Sequence, residues 1–316
     1  MKIARIQKGS AAVTAVVEGD RVRPLPSVEV LDLLAVDADE RERLLAGADE
    51  ELPLDEVQLL APIQPASIRD FSVFEQHVEG AQMALRGPDA QVPDAWYERP
   101  AFYFTSHHTV TGPDVDIAAP PGSGRLDLEL EVAAVISRRA SNVSAQDARD
   151  CIGGYTIFND WSARDFSARE APLLLGFHKA KDFANTLGPW IVTPDELEPY
   201  RDGDRYDLKL RAFVNDDPLG KDTLANMAWS FEELVAFSAR GSVVAPGDVI
   251  GSGTCGAGCL FELWGRNGSF DDPPPLQPGD VVRLEAEGIG TLTNRVVEQE
   301  ADPPEVPAAR RRARQG

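Results

Sequence analysis

Residues 126–136 constrain the fold most, because their first seven side chains alternate strictly between apolar and acidic types. Neighbouring side chains on a β-strand point to opposite faces, so the pattern predicts a strand with one apolar and one acidic face. The run 132–136 is wholly apolar and predicts that this strand continues into the core. The apolar set is Leu126, Leu128, Leu130 and Val132, and the acidic set is Asp127, Glu129 and Glu131.

Two interpretations of the acidic face stay open. The pattern alone favours a half-buried strand whose carboxylates are solvated. The alternative is a divalent-cation site, because neighbouring carboxylates repel one another and a hard cation with oxygen ligands removes that cost. The apolar run that follows puts the acidic face close to the interior and supports the second interpretation.

Strand patterns outnumber helical patterns along the rest of the chain. Residues 1–24 alternate like a strand meander, and 27–60 carry apolar residues at helical spacing. Helices are also predicted at 67–87, with Ser67 as N-cap, and at 230–240. The mixture indicates a β-rich α+β fold.

Prolines near residue 62 and a change of composition after residue 300 predict three segments. A small N-terminal domain is expected at 1–62 and a large domain at 63–300, with the boundary near Pro62–Pro65. The tail 301–316 is rich in Pro, Ala and Arg and is predicted to be disordered.

Charge and composition exclude several classes of partner. The 316 residues contain 31 Lys plus Arg and 52 Asp plus Glu, which gives a net charge of −21. Such an acidic surface disfavours binding to nucleic acid or to an anionic membrane. No run of eighteen apolar residues predicts a transmembrane helix, and the first residues lack the apolar block of a signal peptide. Three cysteines do not suggest a disulfide framework, so a cytoplasmic protein is expected.

Two familiar motifs are considered and set aside. Gly251, Gly253 and Gly256 satisfy the spacing of a dinucleotide fingerprint, but 259–264 is predicted as a strand where that motif needs a helix, and no βαβ unit is predicted around it. The pair Cys255 and Cys259 lacks the second pair of ligands that a zinc motif requires.

Five blocks, taken together in chain order, are more specific than any of them alone. They are RDFSVFEQH at 69–77, LDLELEV at 126–132, NDWSARD at 159–165, GFHKAKDF at 176–183 and GTCGAGCLFEL at 253–263. With these blocks the chain resembles the fumarylacetoacetate hydrolase family over about residues 67–298. The resemblance implies a β-rich mixed roll with a small N-terminal α/β domain, an active site at the mouth of the roll, and a homodimer.

The same resemblance implies a divalent metal, typically Mg²⁺ with Ca²⁺ or Mn²⁺ as substitutes. The positions of the family ligands are Asp70, Glu129, Glu131 and Asp160 in this sequence. Four carboxylates without a thiolate suit a hard cation better than zinc. Asp127 is expected further along the same face, outside the set of ligands.

The resemblance also assigns the catalytic pair. His77 holds the position of the general base, and imidazole titrates near neutrality, which suits abstraction of a proton from water. Glu262 matches the glutamate that orients this histidine, with Glu79 as the weaker alternative. Shorter relatives use a glutamate three residues after the histidine, where this chain has Gly80.

Further positions carry over less specifically. Lys181 matches a lysine that faces the metal and can hold an oxyanion, although most lysines are simply exposed. Thr254 and Arg86 match substrate contacts, and Arg86 could instead be a cation at the end of a helix. Tyr103 is assigned to the pocket lining, although an aromatic cluster such as the one it belongs to is more often core.

Two departures bear on the substrate. The hydrolases proper carry a tyrosine where this chain has Ser72 and a glutamine where it has Ser167. Both positions touch substrate in the family, so fumarylacetoacetate itself is not favoured.

The expected function is a metal-dependent hydrolase that cleaves a C–C bond in a β-diketo acid or acylpyruvate, with a small oxo acid as its partner. Decarboxylation, tautomerisation or dehydration of a 2-oxo acid is the alternative, because one site can serve all these reactions. A non-catalytic metal-binding scaffold is the third reading, and the retained histidine, lysine and carboxylates argue against it.

Overall fold

The computed structural model describes residues 1–299, 303–304 and 306–310. Most of the predicted tail, 301–316, therefore lies outside the described residues. The five-residue piece at 306–310 and the pair at 303–304 contain neither helix nor strand.

The described residues form a strand-rich α+β structure. The strands are β1 (Lys2–Lys8), β2 (Ala11–Glu18), β3 (Arg21–Leu25), β4 (Leu52–Pro53), β5 (Gln58–Leu60), β6 (Ser67–Phe71), β7 (Phe102–Thr105), β8 (Val110–Thr111), β9 (Ile117–Ala118), β10 (Leu126–Asp127), β11 (Leu130–Ile136), β12 (Ile152–Asn159), β13 (Ser162–Ala163), β14 (Asn185–Val192), β15 (Arg201–Asp202), β16 (Arg205–Tyr206), β17 (Lys209–Val214), β18 (Asp217–Thr223), β19 (Asp248–Gly251), β20 (Val281–Ala286) and β21 (Gly290–Val297).

Helices are few and mostly short. The α-helices are α1 (Val30–Ala35), α2 (Ala38–Leu45), α3 (Glu75–Arg86), α4 (Asp94–Glu98), α5 (Ala145–Ala148), α6 (Arg164–Glu170), α7 (Pro194–Leu197), α8 (Phe231–Ala239) and α9 (Leu260–Asn267). Short 3₁₀ helices cover Leu54–Glu56, Arg149–Cys151, Ala171–Leu173, Glu198–Tyr200 and Leu224–Asn226. No helix in the described part of the chain is long and apolar enough to cross a membrane.

One large sheet runs through both predicted domains. Its order is β4-β3-β2-β1-β14-β12-β11-β19-β6-β7, with β5 paired to β1 and β8 paired to β14. The N-terminal strands join it through β1, where Lys2 pairs with Val192 and Ile3 with Ile191 on β14. The predicted meander at 1–24 is confirmed, with tight turns at Gly9 and Gly19 that both have φ of +61°.

A second sheet, β18-β17-β20-β21-β9, packs on this one through β11, β12 and β14. The main apolar core lies between the two sheets and the helices around them. Its buried side chains include Trp161, Tyr155 and Trp264, which are among the largest in the protein. The expected sheet-rich α+β roll is thus the observed architecture.

Three predicted elements are wrong. The helix predicted at 67–87 is a strand up to Phe71 and a helix only from Glu75, because 67–71 pairs with β19 on one side and β7 on the other. Ser67 caps no helix and instead donates a hydrogen bond to Asp248 at 2.7 Å. The helical reading of 27–60 holds only for α1 and α2, since β4 and β5 follow them.

The third wrong element is 259–264, predicted as a strand and observed as the start of α9. Cys259 is its N-cap, and the cysteine sulfur accepts the backbone N–H of Glu262 at 3.4 Å. The helix that a dinucleotide fingerprint needs is therefore present, but β20, the strand after α9, belongs to the other sheet, so the described residues form no βαβ unit there. The glycines serve another purpose here, because the N–H of Gly253 donates to the Glu131 carboxylate at 3.0 Å.

Candidate metal centre and active site

Four carboxylates from distant parts of the chain converge at one end of the large sheet. Asp70 lies on β6, Glu129 precedes β11, Glu131 is on β11, and Asp160 follows β12. Each contributes an oxygen, and these four oxygens lie within 4.8 Å of one another. The strand between β6 and β11 is β19, and it ends at Gly251, opposite Asp70.

Gly251 gives the carboxylates their room. A Cβ atom at this position would lie 2.5 Å from Oδ1 of Asp70 and 3.0 Å from Oε2 of Glu131. Glycine is therefore the residue that lets β19 run directly beneath the cluster. The acidic face predicted from 126–132 is consequently buried rather than solvated.

The cluster has the donor set that a hard cation requires. Asp70, Glu129, Glu131 and Asp160 are at most 4% exposed. One oxygen of Asp70, Glu131 and Asp160 in each case has no hydrogen-bond partner. Unpaired buried carboxylate oxygens are costly, and four carboxylates that each offer an oxygen within 4.8 Å of the others suit Mg²⁺, Mn²⁺ or Ca²⁺. The residues present therefore fit a divalent cation.

Two buried cations hold both oxygens of Glu129 and one oxygen of Asp160. The ammonium of Lys181 donates to Glu129 and to Asp160. The guanidinium of Arg164 donates from Nη2 to Glu129 at 2.6 Å and from Nε to Asp127 at 2.7 Å. Asp127 stands outside the cluster, as expected, and also accepts the first two N–H groups of α9.

Electrostatics divides the four carboxyls into two kinds. Burial raises the pKa of Asp70 and raises that of Asp160 well above its usual range; charge on neighbouring carboxylates adds to this effect, and Lys181 opposes it. Burial and the nearby Asp70 raise the pKa of Glu131 likewise. Burial opposes ionisation of Glu129 too, but Lys181 and Arg164 outweigh it and hold its pKa below the usual value. Without a cation, protons thus compete for three of the four ligands.

At this site Tyr103 is neutral and Lys181 is charged. The Tyr103 hydroxyl donates to Asp70 at 2.8 Å and contacts Asp160. Burial and the adjacent Asp160 raise the pKa of Tyr103 well above its usual range, so it remains a neutral donor. Burial alone would lower the pKa of Lys181, but the carboxylates of Asp160 and Glu129 raise it.

His77 lies on α3 and faces Glu262 on α9. Its Nδ1 atom is 3.8 Å from Oε2 of Glu262, slightly beyond hydrogen-bond length, and 3.6 Å from Sγ of Cys259. Glu262 accepts the N–H of Ala257 at 2.7 Å and Nε of Arg266 at 2.9 Å. Burial would raise the pKa of Glu262, yet His77, Arg266 and the Ala257 N–H lower it, so this residue is a carboxylate.

A cavity of about 230 Å³ connects these groups. Of the predicted site residues, Asp70, His77, Tyr103, Glu129, Lys181 and Thr254 line it. Glu131 and Asp160 lie beneath as members of the cluster, and Glu262 lies behind His77. Arg86 does not line the cavity, because it is exposed at the last residue of α3, and Glu79 instead pairs with Arg266 at 3.2 Å.

Arg164 is the charged lining residue that sequence reasoning missed. It is buried against Glu129, with its guanidinium over the ring of Phe261. The sequence held one signal of this buried role. Three carboxylates on a buried face require a cation, and Arg164 lies in the next of the five blocks along the chain, NDWSARD at 159–165.

Family models, curated proteins and solved structures resemble this chain in sequence or in fold. A family model described as "Fumarylacetoacetate (FAA) hydrolase C-terminal" matches residues 67–297, and one described as "Rv2993c-like, N-terminal" matches 1–62. Oxaloacetate tautomerase YisK of Bacillus subtilis (strain 168) is 31% identical over 245 residues, which cover 77% of this chain and 74% of that one. Fumarylacetoacetase of Oryza sativa subsp. japonica is 28% identical over 306 residues, covering 78% and 71%. A solved structure of 5-carboxymethyl-2-hydroxymuconate delta-isomerase from Mycobacterium smegmatis has a TM-score of 0.70 at 26% identity, covering 95% and 100%.

Proposed function

Because the chain belongs to the fumarylacetoacetate hydrolase family, whose members are enzymes that include hydrolases, isomerases and tautomerases, we propose that it is a hydrolase of β-diketo acids. The substrate class is an acylpyruvate, and the bond cleaved is the C–C bond beside the distal carbonyl. The observation that carries this proposal is the cluster of four carboxylates with three unpartnered oxygens, next to an imidazole in one cavity.

The cation proposed for the cluster is Mg²⁺, with Mn²⁺ or Ca²⁺ as substitutes, held by Asp70, Glu129, Glu131 and Asp160. When bound, such a cation polarises substrate oxygens as a Lewis acid and orients the oxo acid. Lys181 and Arg164 keep Glu129 ionised before any cation arrives, so the site is partly organised in advance.

His77 is proposed to take the proton from water. Its ring lines the cavity with 12% of its side chain exposed, so a water molecule can reach it. Glu262, held ionised by Arg266 and the Ala257 N–H, stabilises the imidazolium that forms. The distance of 3.8 Å between Nδ1 and Oε2 shortens to a hydrogen bond once the imidazole is charged.

Lys181 and Tyr103 are proposed to hold negative charge on the substrate. Both donate towards the carboxylate cluster from the cavity wall. An ammonium and a neutral phenol placed before the reaction stabilise the oxyanion that forms when water adds to a carbonyl, and they need no reorganisation. Thr254, 3% exposed on the same wall, adds a hydroxyl for substrate contact.

A second candidate is tautomerisation of a 2-oxo acid such as oxaloacetate. It is favoured by the 31% identity with a relative named oxaloacetate tautomerase. The same His77 and Lys181 could move a proton between carbon and oxygen without water attack. The two candidates differ in whether a C–C bond is broken.

The test is a direct comparison of the two reactions. Protein freed of metal with EDTA and reloaded with Mg²⁺ or Mn²⁺ is assayed for loss of the ultraviolet absorbance of acetylpyruvate and for keto–enol conversion of oxaloacetate. Metal-dependent cleavage of acetylpyruvate to acetate and pyruvate supports the hydrolase. Conversion of oxaloacetate without cleavage of any acylpyruvate transfers the assignment to the tautomerase.

We also propose a homodimer and a cytoplasmic location. Leu173, Leu174 and Leu175 are 59%, 90% and 79% exposed beside the cavity residue Phe177, and a contiguous exposed apolar patch suits an interface. The cysteines of the described residues are free, which suits a reducing compartment. Light scattering on the eluting protein should give twice the chain mass, and Leu174→Asp should lower it, whereas a monomeric parent protein would refute the dimer.

A further inference from the structure

A sulfur and an imidazole nitrogen meet behind the cavity wall, next to the carboxylate cluster. Sγ of Cys259 lies 3.6 Å from Nδ1 of His77, and Cys259 is fully buried. His77, Cys259 and Glu129 each offer one ligand atom, and these three atoms lie within 4.8 Å of one another. The roles proposed above use His77 and Glu129 and leave the thiol of Cys259 with no chemical role beyond capping α9.

The spacing and chemistry of this trio suit zinc. In a tetrahedral site, a nitrogen at about 2.0–2.1 Å and a sulfur at about 2.3 Å from zinc lie roughly 3.6 Å apart, which matches the distance between His77 and Cys259. Thiolate, imidazole and one carboxylate form a softer donor set than four carboxylates, and such a set prefers Zn²⁺ to Mg²⁺. Three protein ligands leave one position for water, as in zinc sites with an open coordination place.

Burial and the nearby Asp127 raise the pKa of Cys259 well above its usual range, so the thiol keeps its proton until zinc binds. Two features of the local structure oppose this effect. Cys259 is the N-cap of α9, and its sulfur accepts the Glu262 N–H at 3.4 Å. Helix N-termini stabilise thiolates through their N–H groups and their positive end. The guanidinium of Arg164 lies over the neighbouring Phe261 ring, 4.8 Å from its centroid, and adds a positive charge close by. Zinc displaces the thiol proton into solvent when it binds.

We propose that His77, Cys259 and Glu129 form a second cation site that binds zinc and thereby inhibits the protein. Zinc on Nδ1 removes the imidazole from its pairing with Glu262. Zinc also draws on Glu129, which the carboxylate cluster needs for its own cation. Inhibition rests on the proposed function, because it assumes that His77 is the base, whereas binding does not.

Binding is tested with Co²⁺ as the spectroscopic probe for zinc. Metal-free protein is first saturated with Mg²⁺ and then titrated with Co²⁺ to one equivalent. Cobalt bound to a thiolate gives a strong near-ultraviolet charge-transfer band, which cobalt bound by carboxylates does not. We expect this band in the parent protein and its displacement by one equivalent of Zn²⁺.

Cys255 provides a matched control, because it is also fully buried and is outside the trio. The band should be absent from Cys259→Ser and intact in Cys255→Ser. If Cys259→Ser fails to fold, His77→Ala keeps the sulfur and should weaken cobalt binding at least tenfold. No band in the parent protein, a band that survives in Cys259→Ser, or one lost only in Cys255→Ser overturns the site.

The inhibition arm uses turnover with saturating Mg²⁺. One equivalent of Zn²⁺ should lower the rate at least tenfold in the parent protein and in Cys255→Ser, and by less than twofold in Cys259→Ser. A parent protein that binds cobalt through sulfur but is not inhibited by zinc contradicts the inhibitory role. A protein that turns over no oxo acid refutes the proposed function and leaves the cobalt band to decide the site.

Discussion

His77 is the residue on which the proposed chemistry depends, because it is the imidazole that lines the cavity beside the carboxylate cluster. We predict that His77→Ala lowers kcat for acylpyruvate cleavage by about 10² to 10⁴-fold, the usual contribution of a general base. The measurement is steady-state turnover at saturating Mn²⁺, with the fold checked by thermal unfolding.

Arg86 is the control for that experiment. It is exposed at the end of α3 and does not line the cavity. Arg86→Ala should therefore change KM and kcat by less than twofold. A KM raised tenfold or more would restore the substrate-binding role that the family resemblance implies for Arg86.

Gly251 is predicted to set the affinity for the cation. The Cβ atom of Gly251→Ala would crowd Oδ1 of Asp70 at 2.5 Å and Oε2 of Glu131 at 3.0 Å. We expect Mn²⁺ affinity, measured by calorimetry, to fall at least tenfold. Gly124→Ala is the matched control, since nothing lies within 4 Å of its added methyl group. Unchanged affinity in Gly251→Ala would mean that the carboxylates do not need this space.

Local pattern indicated only part of the carboxylate cluster. The alternation at 126–132 predicted an acidic face with Glu129 and Glu131, whereas Asp70 and Asp160 were assigned from the family resemblance. Nothing in the local pattern tells whether Arg164 faces solvent or folds back onto Glu129, because that depends on how β13 pairs with β10.

Among the elements, α3 and α9 form the contact that brings His77 to Glu262, and two glycines make it close. A Cβ on Gly80 would overlap Cγ of Glu262, and one on Gly265 would overlap the backbone oxygen of Gly80. The side chain of Glu262 thus fills the space that a glutamate at position 80 would need. A glutamate partner for His77 can come from either helix, but not from both.

We predict that Gly80→Ala separates these helices. Overpacking of this kind costs about 1–3 kcal/mol, and the wider gap should also lower kcat. The second mutation in Gly80→Ala/Glu262→Ala removes the clashing Cγ, so the stability losses should be less than additive when measured by urea unfolding. Strictly additive losses would contradict this packing.

Elements whose identity depends on distant partners were the ones predicted wrongly. Residues 67–71 have a helical spacing of apolar side chains, but they become β6 because β19 and β7 supply strand partners from elsewhere. Residues 259–264 look apolar enough for a strand, yet Cys259 and Asp127 cap the N–H groups of a helix there. By contrast, α8 was predicted correctly because Ser230 and Glu233 form a capping box within the segment itself.

At the scale of the whole molecule, the site joins three strands of one sheet, β6, β11 and β12, so a bound cation should stabilise the fold. Binding to the folded state at a hundred times the dissociation constant adds about 2.7 kcal/mol, or several degrees in Tm. We predict that Tm is higher with Mg²⁺ or Mn²⁺ than with EDTA at pH 8, as measured by calorimetry.

That stabilisation should depend on pH with a defined sign. Burial raises the pKa of Asp70, Glu131 and Asp160, and a protonated carboxyl is a poor ligand. The gain in Tm from metal should therefore be full at high pH and shrink as pH falls through these raised values. The loss should begin above the pKa of about 4 that exposed carboxyls show. A metal-induced gain in Tm that stays constant down to pH 4 would contradict this pH dependence.

The central claim is that four buried carboxylates hold one divalent cation beside His77, and a Mn²⁺ titration followed by electron paramagnetic resonance tests it most directly. The account predicts one bound Mn²⁺ per chain in the parent protein and in His77→Ala, at least a hundredfold weaker binding in Glu131→Gln, and normal binding in Asp165→Asn, whose carboxyl is outside the cluster. A parent protein that binds no Mn²⁺, or Glu131→Gln binding it as tightly as the parent, would contradict the account.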